Sequence, residues 1–283
     1  MAAGGLTSAG QTRWLNTFTG VSPYSLPSVY MALMTGTSSA ASAGTEVTTG
    51  QYTGYARQAL PGANWGDAAT DASYQLPITF GNNTSGTGAT ITYWELYDAS
   101  SGGNRLVFST FDQGNIILPA NGGEVQFAAT AVSWFQLPSS GFHTSVGPGS
   151  VYQARMVNHF NGKTTYVGPS AWWAYLATSY STGNTIGTES TYTNYARVQV
   201  ASPTTFFGPA NFSGFSLSSV STAQNLTFPT VGASVGSTII EMGFMDASSG
   251  GNIVGTFQPF SGITLVTGQT PQYASGSVII TIT

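Results

Sequence analysis

The heptapeptide Asp98-Ala99-Ser100-Ser101-Gly102-Gly103-Asn104 recurs without change as Asp246-Ala247-Ser248-Ser249-Gly250-Gly251-Asn252. The likeness continues well beyond its edges. Asn16-x-Phe18-x-Gly20 returns as Asn158-x-Phe160-x-Gly162, and Pro27-Ser28 as Pro169-Ser170. Gly44-Thr45-Glu46 returns as Gly187-Thr188-Glu189, and Tyr55-Ala56-Arg57 as Tyr195-Ala196-Arg197. Matched positions lie 140 to 148 residues apart, so one fold of about 140 residues is written twice, with small loop insertions and deletions. A chain of 283 residues accommodates two such domains, each large enough to bury roughly two-thirds of its unfolded surface. The structure-breaking stretch Pro138-Ser139-Ser140-Gly141 places the expected boundary, giving a first copy over 1–138 and a second, diverged copy over 139–283.

Charge is scarce. Only 6% of residues are charged, against roughly 25% in an ordinary soluble protein. With an ordinary 41% apolar fraction, the surface must be built from Ser, Thr, Asn, Gln and Gly. Six Lys plus Arg and a net charge of −4 argue against nucleic acid, whose phosphates demand clustered cations. No apolar stretch is long enough to span a membrane as a helix, and Met1-Ala2-Ala3-Gly4-Gly5 lacks the regions of a signal peptide. Zero cysteines exclude disulfides and thiolate metal sites. This combination suits a virion protein assembled in the host cytoplasm and displayed outside a cell.

Each copy is expected to open with one helix. Thr7 or Ser8 serves as N-cap for a segment through Arg13, Trp14, Leu15 and Phe18 that stops at Gly20; its counterpart runs from about Val151 to Phe160 and stops at Gly162. The remainder reads as strands joined by Gly/Ser/Thr/Asn turns. Ile91–Tyr97 aligns with Ile239–Met245. Trp94 and Leu96 match Met242 and Phe244 on one face, which is assigned to the core; Glu95 and Glu241, on the other face, are assigned to water. Val278, Ile280 and Ile282 alternate as a last strand, and its equivalent in the first copy starts at Val125 and Phe127 and slips phase before Val132 and Trp134, as at a bulge. In the heptapeptide, Asp98 starts an Asx-type turn and the Gly pair supplies positive φ. The expected fold is mainly β: two tandem antiparallel β-sandwiches, each with a short N-terminal helix.

The first copy runs through Leu15-Asn16-x-Phe18-x-Gly20, Val29-Tyr30-Met31-Ala32-Leu33-Met34-Thr35, Gly44-Thr45-Glu46-Val47, Gly54-Tyr55-Ala56-Arg57-Gln58-Ala59, Ile78-Thr79-Phe80, Ile91 to Asn104, and Gly123-Glu124-Val125-Gln126-Phe127-Ala128. This succession resembles that of the small structural proteins of tailed bacteriophages that carry the tail-fibre name, over nearly all of residues 6–137. The second copy matches more loosely, with Trp172-Trp173-Ala174-Tyr175-Leu176 in place of Tyr30-Met31-Ala32-Leu33-Met34. The resemblance implies a non-enzymatic virion component, either a tail fibre-like appendage or a capsid decoration. Its expected partners are other virion proteins, further copies of itself and, in the alternative reading, a host-surface glycan.

Both copies keep Glu46/Glu189, Arg57/Arg197 and Asp98/Asp246. In so uncharged a chain this set reads first as an intradomain network pinning the loop before the Tyr-x-Arg segment, with Tyr55 covering Arg57, and second as a polar ligand site used twice. Trp172, Trp173 and Tyr175, with Tyr180, form an aromatic group offered as an interface or a glycan contact; of the adjacent tryptophans, one is assigned to the core and the other to the surface. His143 and His159, the only histidines, lack partners at metal-ligand spacing, and no nucleophile elbow stands before a helix. Asp67, Asp71, Asp98, Asn104 and Asp112 supply oxygens for calcium without a calcium-loop spacing, and Gly81 to Gly88 lacks the lysine of a phosphate loop. The expectation is therefore no cofactor, no metal and no enzymatic activity.

Overall fold

The computed structural model describes residues 4–19, 25, 27–66, 71–111, 114–136, 147–148, 150–182, 184–200, 203–208, 219–233, 238–257 and 262–281. The chain forms two compact units. One comprises Met1–Trp14, Tyr24–Gln136 and Val157–Tyr166; the other comprises Leu15–Pro23, Leu137–Met156 and Val167–Thr283.

Each copy of the repeat builds the same five-stranded antiparallel sheet. In the first the order is Gly4–Leu6, Arg105–Thr110, Tyr93–Tyr97, Val29–Met34, Gln58–Leu60; in the second it is Gly147–Pro148, Ile253–Phe257, Glu241–Met245, Trp172–Ala177, Val198–Val200. Three two-stranded ladders accompany each sheet, again in matching positions. Ala89–Ile91 with Ile116–Leu118, Ile78–Thr79 with Gln126–Phe127, and Asp71–Ser73 with Ser133–Gln136 correspond to Thr238–Ile239 with Ile263–Thr264, Leu226–Thr227 with Gln272–Tyr273, and Ser219–Ser221 with Ile279–Thr281. The chain is thus mainly β, two tandem antiparallel sandwiches. The last strand is corrected: its counterpart is Ser133–Gln136, not a strand starting at Val125 and Phe127, which belong with Gln272–Tyr273, and the register shifts between Ser133 and Gln136 rather than before Val132.

Helix α1 spans Ser8–Thr19 and α2 spans Ser150–Phe160. Thr7 is the cap of α1: its Oγ1 accepts the Gly10 N–H at 3.1 Å, satisfying a donor the first turn leaves open. Gly10 lets the helix lie against the sheet, because a Cβ there would come within 2.3 Å of the Leu106 carbonyl oxygen. Helix α2 closes in a Schellman turn. Gly162, at φ +74°, donates to His159 O, and Lys163 N–H returns to Asn158 O at 2.8 Å. Tyr152, Met156 and Phe160, spaced by four, are all buried, as one face of a helix requires.

On the central strands Trp94, Leu96, Met242 and Phe244 are buried, as their alternation predicts. The opposite face departs from expectation: Glu95 and Glu241 are also buried, at 0% and 4% exposure. Alternation alone tells which side chains share a face, not whether that face is covered. Here it is, by the loops that follow Val29–Met34 and Trp172–Ala177 (below).

Candidate functional site

The retained charges converge on the repeated turn. Arg57 donates from Nε and Nη2 to the two carboxylate oxygens of Glu46, at 2.9 and 2.8 Å, and from Nη1 to the carbonyls of Ala99 and Gly102, at 3.0 and 2.8 Å. The second copy repeats the set: Arg197 meets Glu189 at 2.9 and 2.9 Å and the carbonyls of Ala247 and Gly250 at 2.9 and 2.8 Å. Both guanidinium groups are almost buried, and both carboxylates are partly open to solvent. A fork geometry of this kind is what arginine supplies and lysine does not. The ring over Arg57 is Tyr97, 3.6 Å from centroid to Cζ, rather than Tyr55. Tyr55 instead bridges the network to the sheet, donating to Glu46 Oε1 at 3.0 Å and accepting the Leu33 N–H at 3.0 Å; Tyr195 does the same between Glu189 and Leu176. Burial pushes both phenols up, so they remain donors at any ordinary pH. Arg57 is held more firmly protonated than usual: burial opposes its charge but is outweighed by the Glu46 carboxylate.

Inside the turn, Asp98 Oδ1 accepts the Asn104 N–H at 2.6 Å and Oδ2 accepts its side-chain amide at 2.9 Å, with the same two distances between Asp246 and Asn252. Gly102 and Gly103 sit at φ +59° and +73°. Each aspartate is also met from the opening helix. Arg13 Nη1 lies 2.6 Å from Asp98 Oδ2, whereas Tyr152 Oη donates to Asp246 Oδ2 at 3.0 Å. Burial raises the pKa of Asp98, but the Asn104 and Arg13 donors prevail and hold it below the usual carboxylate range; Asn252 and Tyr152 do this for Asp246.

The buried glutamates form a second network that alternation concealed. Glu95 Oε1 meets Arg105 Nη1 at 2.8 Å and the Gly44 N–H at 3.2 Å, and Oε2 accepts the Tyr97 hydroxyl at 2.6 Å. Arg105 goes on to the carbonyls of Ser39, Ala40 and Ser42. In the second copy the carboxylate stands two residues earlier along the strand. Glu241 accepts the Tyr175 hydroxyl at 2.8 Å, the Ser181 N–H at 2.8 Å and the Ser181 hydroxyl. Gly243 occupies the place of Glu95, and a Cβ there would come within 2.6 Å of the Tyr175 ring. The clue was in the sequence: Arg105 and Ile253 share a position, as do Glu95 and Gly243, so the ion pair is gained or lost as a whole.

Of the adjacent tryptophans, Trp172 is the core residue, packed against Phe207 and Phe244, and Trp173 keeps part of its surface, as assigned; Trp172 and Tyr175 are enclosed and present no surface to a second molecule, while Tyr180 is exposed. His159 is buried with Nδ1 accepting the Tyr166 N–H at 3.0 Å, while His143, Asp67 and Asp112 lie outside the described residues. Among the described residues no group of three or more His, Asp or Glu is placed to hold a metal ion, and no helix is long and apolar enough to cross a membrane. Cavities occur in both copies among the described residues. One, of 370 Å³ in the first copy, is lined by Trp94, Phe111, Phe127 and polar neighbours; the other, of 190 Å³ in the second copy, is lined mainly by Leu176, Ile239, Ile263, Leu265 and Tyr273.

No curated protein matches this chain. The family described as podophage GP4 fiber I protein gp80 matches it twice, over residues 5–135 and again over 149–281. These two segments are the two halves of the duplication, and together they take in nearly the whole sequence, so the chain belongs to that podophage fiber family as a tandem of two copies.

Proposed function

We propose that this protein is a non-enzymatic structural element on the exterior of a podophage virion, a fibre-like tail appendage that works through contacts with other virion proteins and with further copies of itself. The sequence modules of that element are 1–138 and 139–283, assembled in the host cytoplasm. One observation carries the reading. The charged residues kept in both copies are spent on the protein itself: every nitrogen of Arg57 and Arg197 already holds a carboxylate or a turn carbonyl. Four of the five N–H donors of each guanidinium are held in this way, which stiffens the turn and leaves little of the group for a substrate. Glu46, Arg57, Asp98, Glu189, Arg197 and Asp246 therefore act as scaffold. Gold labelling of intact particles with an antibody to this chain is the test. Label at the tail is the expected result; label spread over the icosahedral shell would make it a capsid decoration, and particles free of label would overturn the reading.

A further inference from the structure

The pair Asn-Gly occurs twice in the sequence, at Asn121-Gly122 and Asn161-Gly162, and the fold treats the two in opposite ways. In such a pair the backbone nitrogen readily reaches the preceding side-chain amide, because glycine has no Cβ to bar the approach. Asn121 is exposed at the tip of a loop whose flanks are pinned by Asn83. The Asn83 N–H donates to Gly123 O at 2.9 Å, and its Nδ2 donates to Pro119 O at 2.8 Å. Between those anchors the tip is open. Gly122, at φ +72°, has nothing within 4 Å of where a Cβ would stand, and its N–H meets no acceptor among the described residues. Asn161, by contrast, is 1% exposed at the close of α2. Gly162 donates to His159 O at 2.9 Å, and a Cβ on it would come within 2.3 Å of the Pro27 carbonyl oxygen. Lys163 fastens the same turn twice, from its backbone to Asn158 O at 2.8 Å and from Nζ to Trp65 O at 3.0 Å.

We propose that Asn121 is a site of spontaneous deamidation and that the fold protects Asn161 from the same reaction. The Gly122 nitrogen gives up its proton to solvent and bonds to Cγ of Asn121. The side-chain nitrogen takes a proton and leaves as ammonia, and a succinimide ring remains. Water then adds at one of the two ring carbonyls and breaks its C–N bond, yielding aspartate or isoaspartate. Water is the only co-reactant. The product adds one negative charge to a chain whose net charge is −4. At an exposed tip that charge stays hydrated and needs no counter-charge. Both Asn83 anchors fall outside the reacting pair, so the flanks of the loop are held while its tip changes. The corresponding loop of the second copy, Val266-Thr267-Gly268-Gln269-Thr270, has no asparagine, so the new charge comes to one copy alone. This surface therefore alters with the age of the protein, wherever on the particle it sits.

The test incubates the full chain at mildly alkaline pH, digests it in acid and follows the two Asn-Gly peptides by mass spectrometry. Asn121 should convert at least about tenfold faster than Asn161, whose reaction must await local opening of its turn. In urea sufficient to unfold the chain the two rates should converge, since the fold and not the pair itself separates them. Asn121→Ser should remove the acidic band that the aged protein develops on isoelectric focusing, with the circular dichroism spectrum unchanged. Equal rates in the folded chain, a faster Asn161, a difference that persists in urea, or an acidic band that survives Asn121→Ser would each overturn the proposal. So would an Asn121 that stays intact while a free peptide of residues 118–125 reacts.

Discussion

A single arginine in each copy joins three parts of the chain that are far apart in sequence. Replacing Arg57 with Ala strips Glu46 of its cation and leaves the carbonyls of Ala99 and Gly102 without their donor; the expected loss is about 3 kcal/mol, read as a lower urea midpoint at unchanged slope. Arg57→Lys should recover little of it, because an ammonium cannot span a carboxylate and two carbonyls in one plane. Asp98 and Asp246 predict the acid side of the stability curve. Each has a folded pKa below its unfolded value, near 4. Their contribution is therefore complete above about pH 4 and is lost as pH falls through the folded values. Asp98→Asn should flatten the decline of unfolding free energy between about pH 4 and pH 2, measured by urea titration at each pH; an unchanged slope would contradict the assignment.

At the scale of the element, the heptapeptide turn separates two glycines that look alike. Gly102 has open space where a Cβ would be, so Gly102→Ala carries only the cost of positive φ, about 1 kcal/mol. A Cβ on Gly103 would come within 2.6 Å of Asp98 Oδ1 and displace the carboxylate, so Gly103→Ala should lower Tm clearly more than Gly102→Ala. The buried carboxylates offer a sharper experiment. Arg105→Ile, borrowing the residue of the second copy, leaves Glu95 enclosed without its cation and should cost about 3–5 kcal/mol. Adding Glu95→Gly, again the second copy's residue, should restore a large part of it; additive losses in the cycle would sink the proposed coupling.

These elements also mark what was legible in the sequence. The repeat gave away the duplicated sandwich, the capped helices and the tight bend, because each depends on local chemistry that survives copying. Charge scarcity drew attention to Arg57 and Arg197, though not to Tyr97 as the ring over the first of them. Burial of Glu95 and Glu241 was hidden because the lids over them are loops without a periodic pattern. Trp172 and Tyr175 misled for a related reason: adjacency and aromaticity do not reveal that Phe207, Phe244 and Glu241 come from distant segments to enclose them.

For the whole molecule, few charges and mostly internal ion pairs predict indifference to salt. Between 50 mM and 1 M NaCl the Tm should move by less than about 3 °C, since screening acts on exposed charges and weakly on enclosed pairs; differential scanning calorimetry checks this. The bookkeeping of the two compact units carries a further consequence. The first contains residues 157–166, which belong to the second copy of the repeat. During synthesis, then, the last residues of the amino-terminal unit leave the ribosome only after the whole first copy has done so.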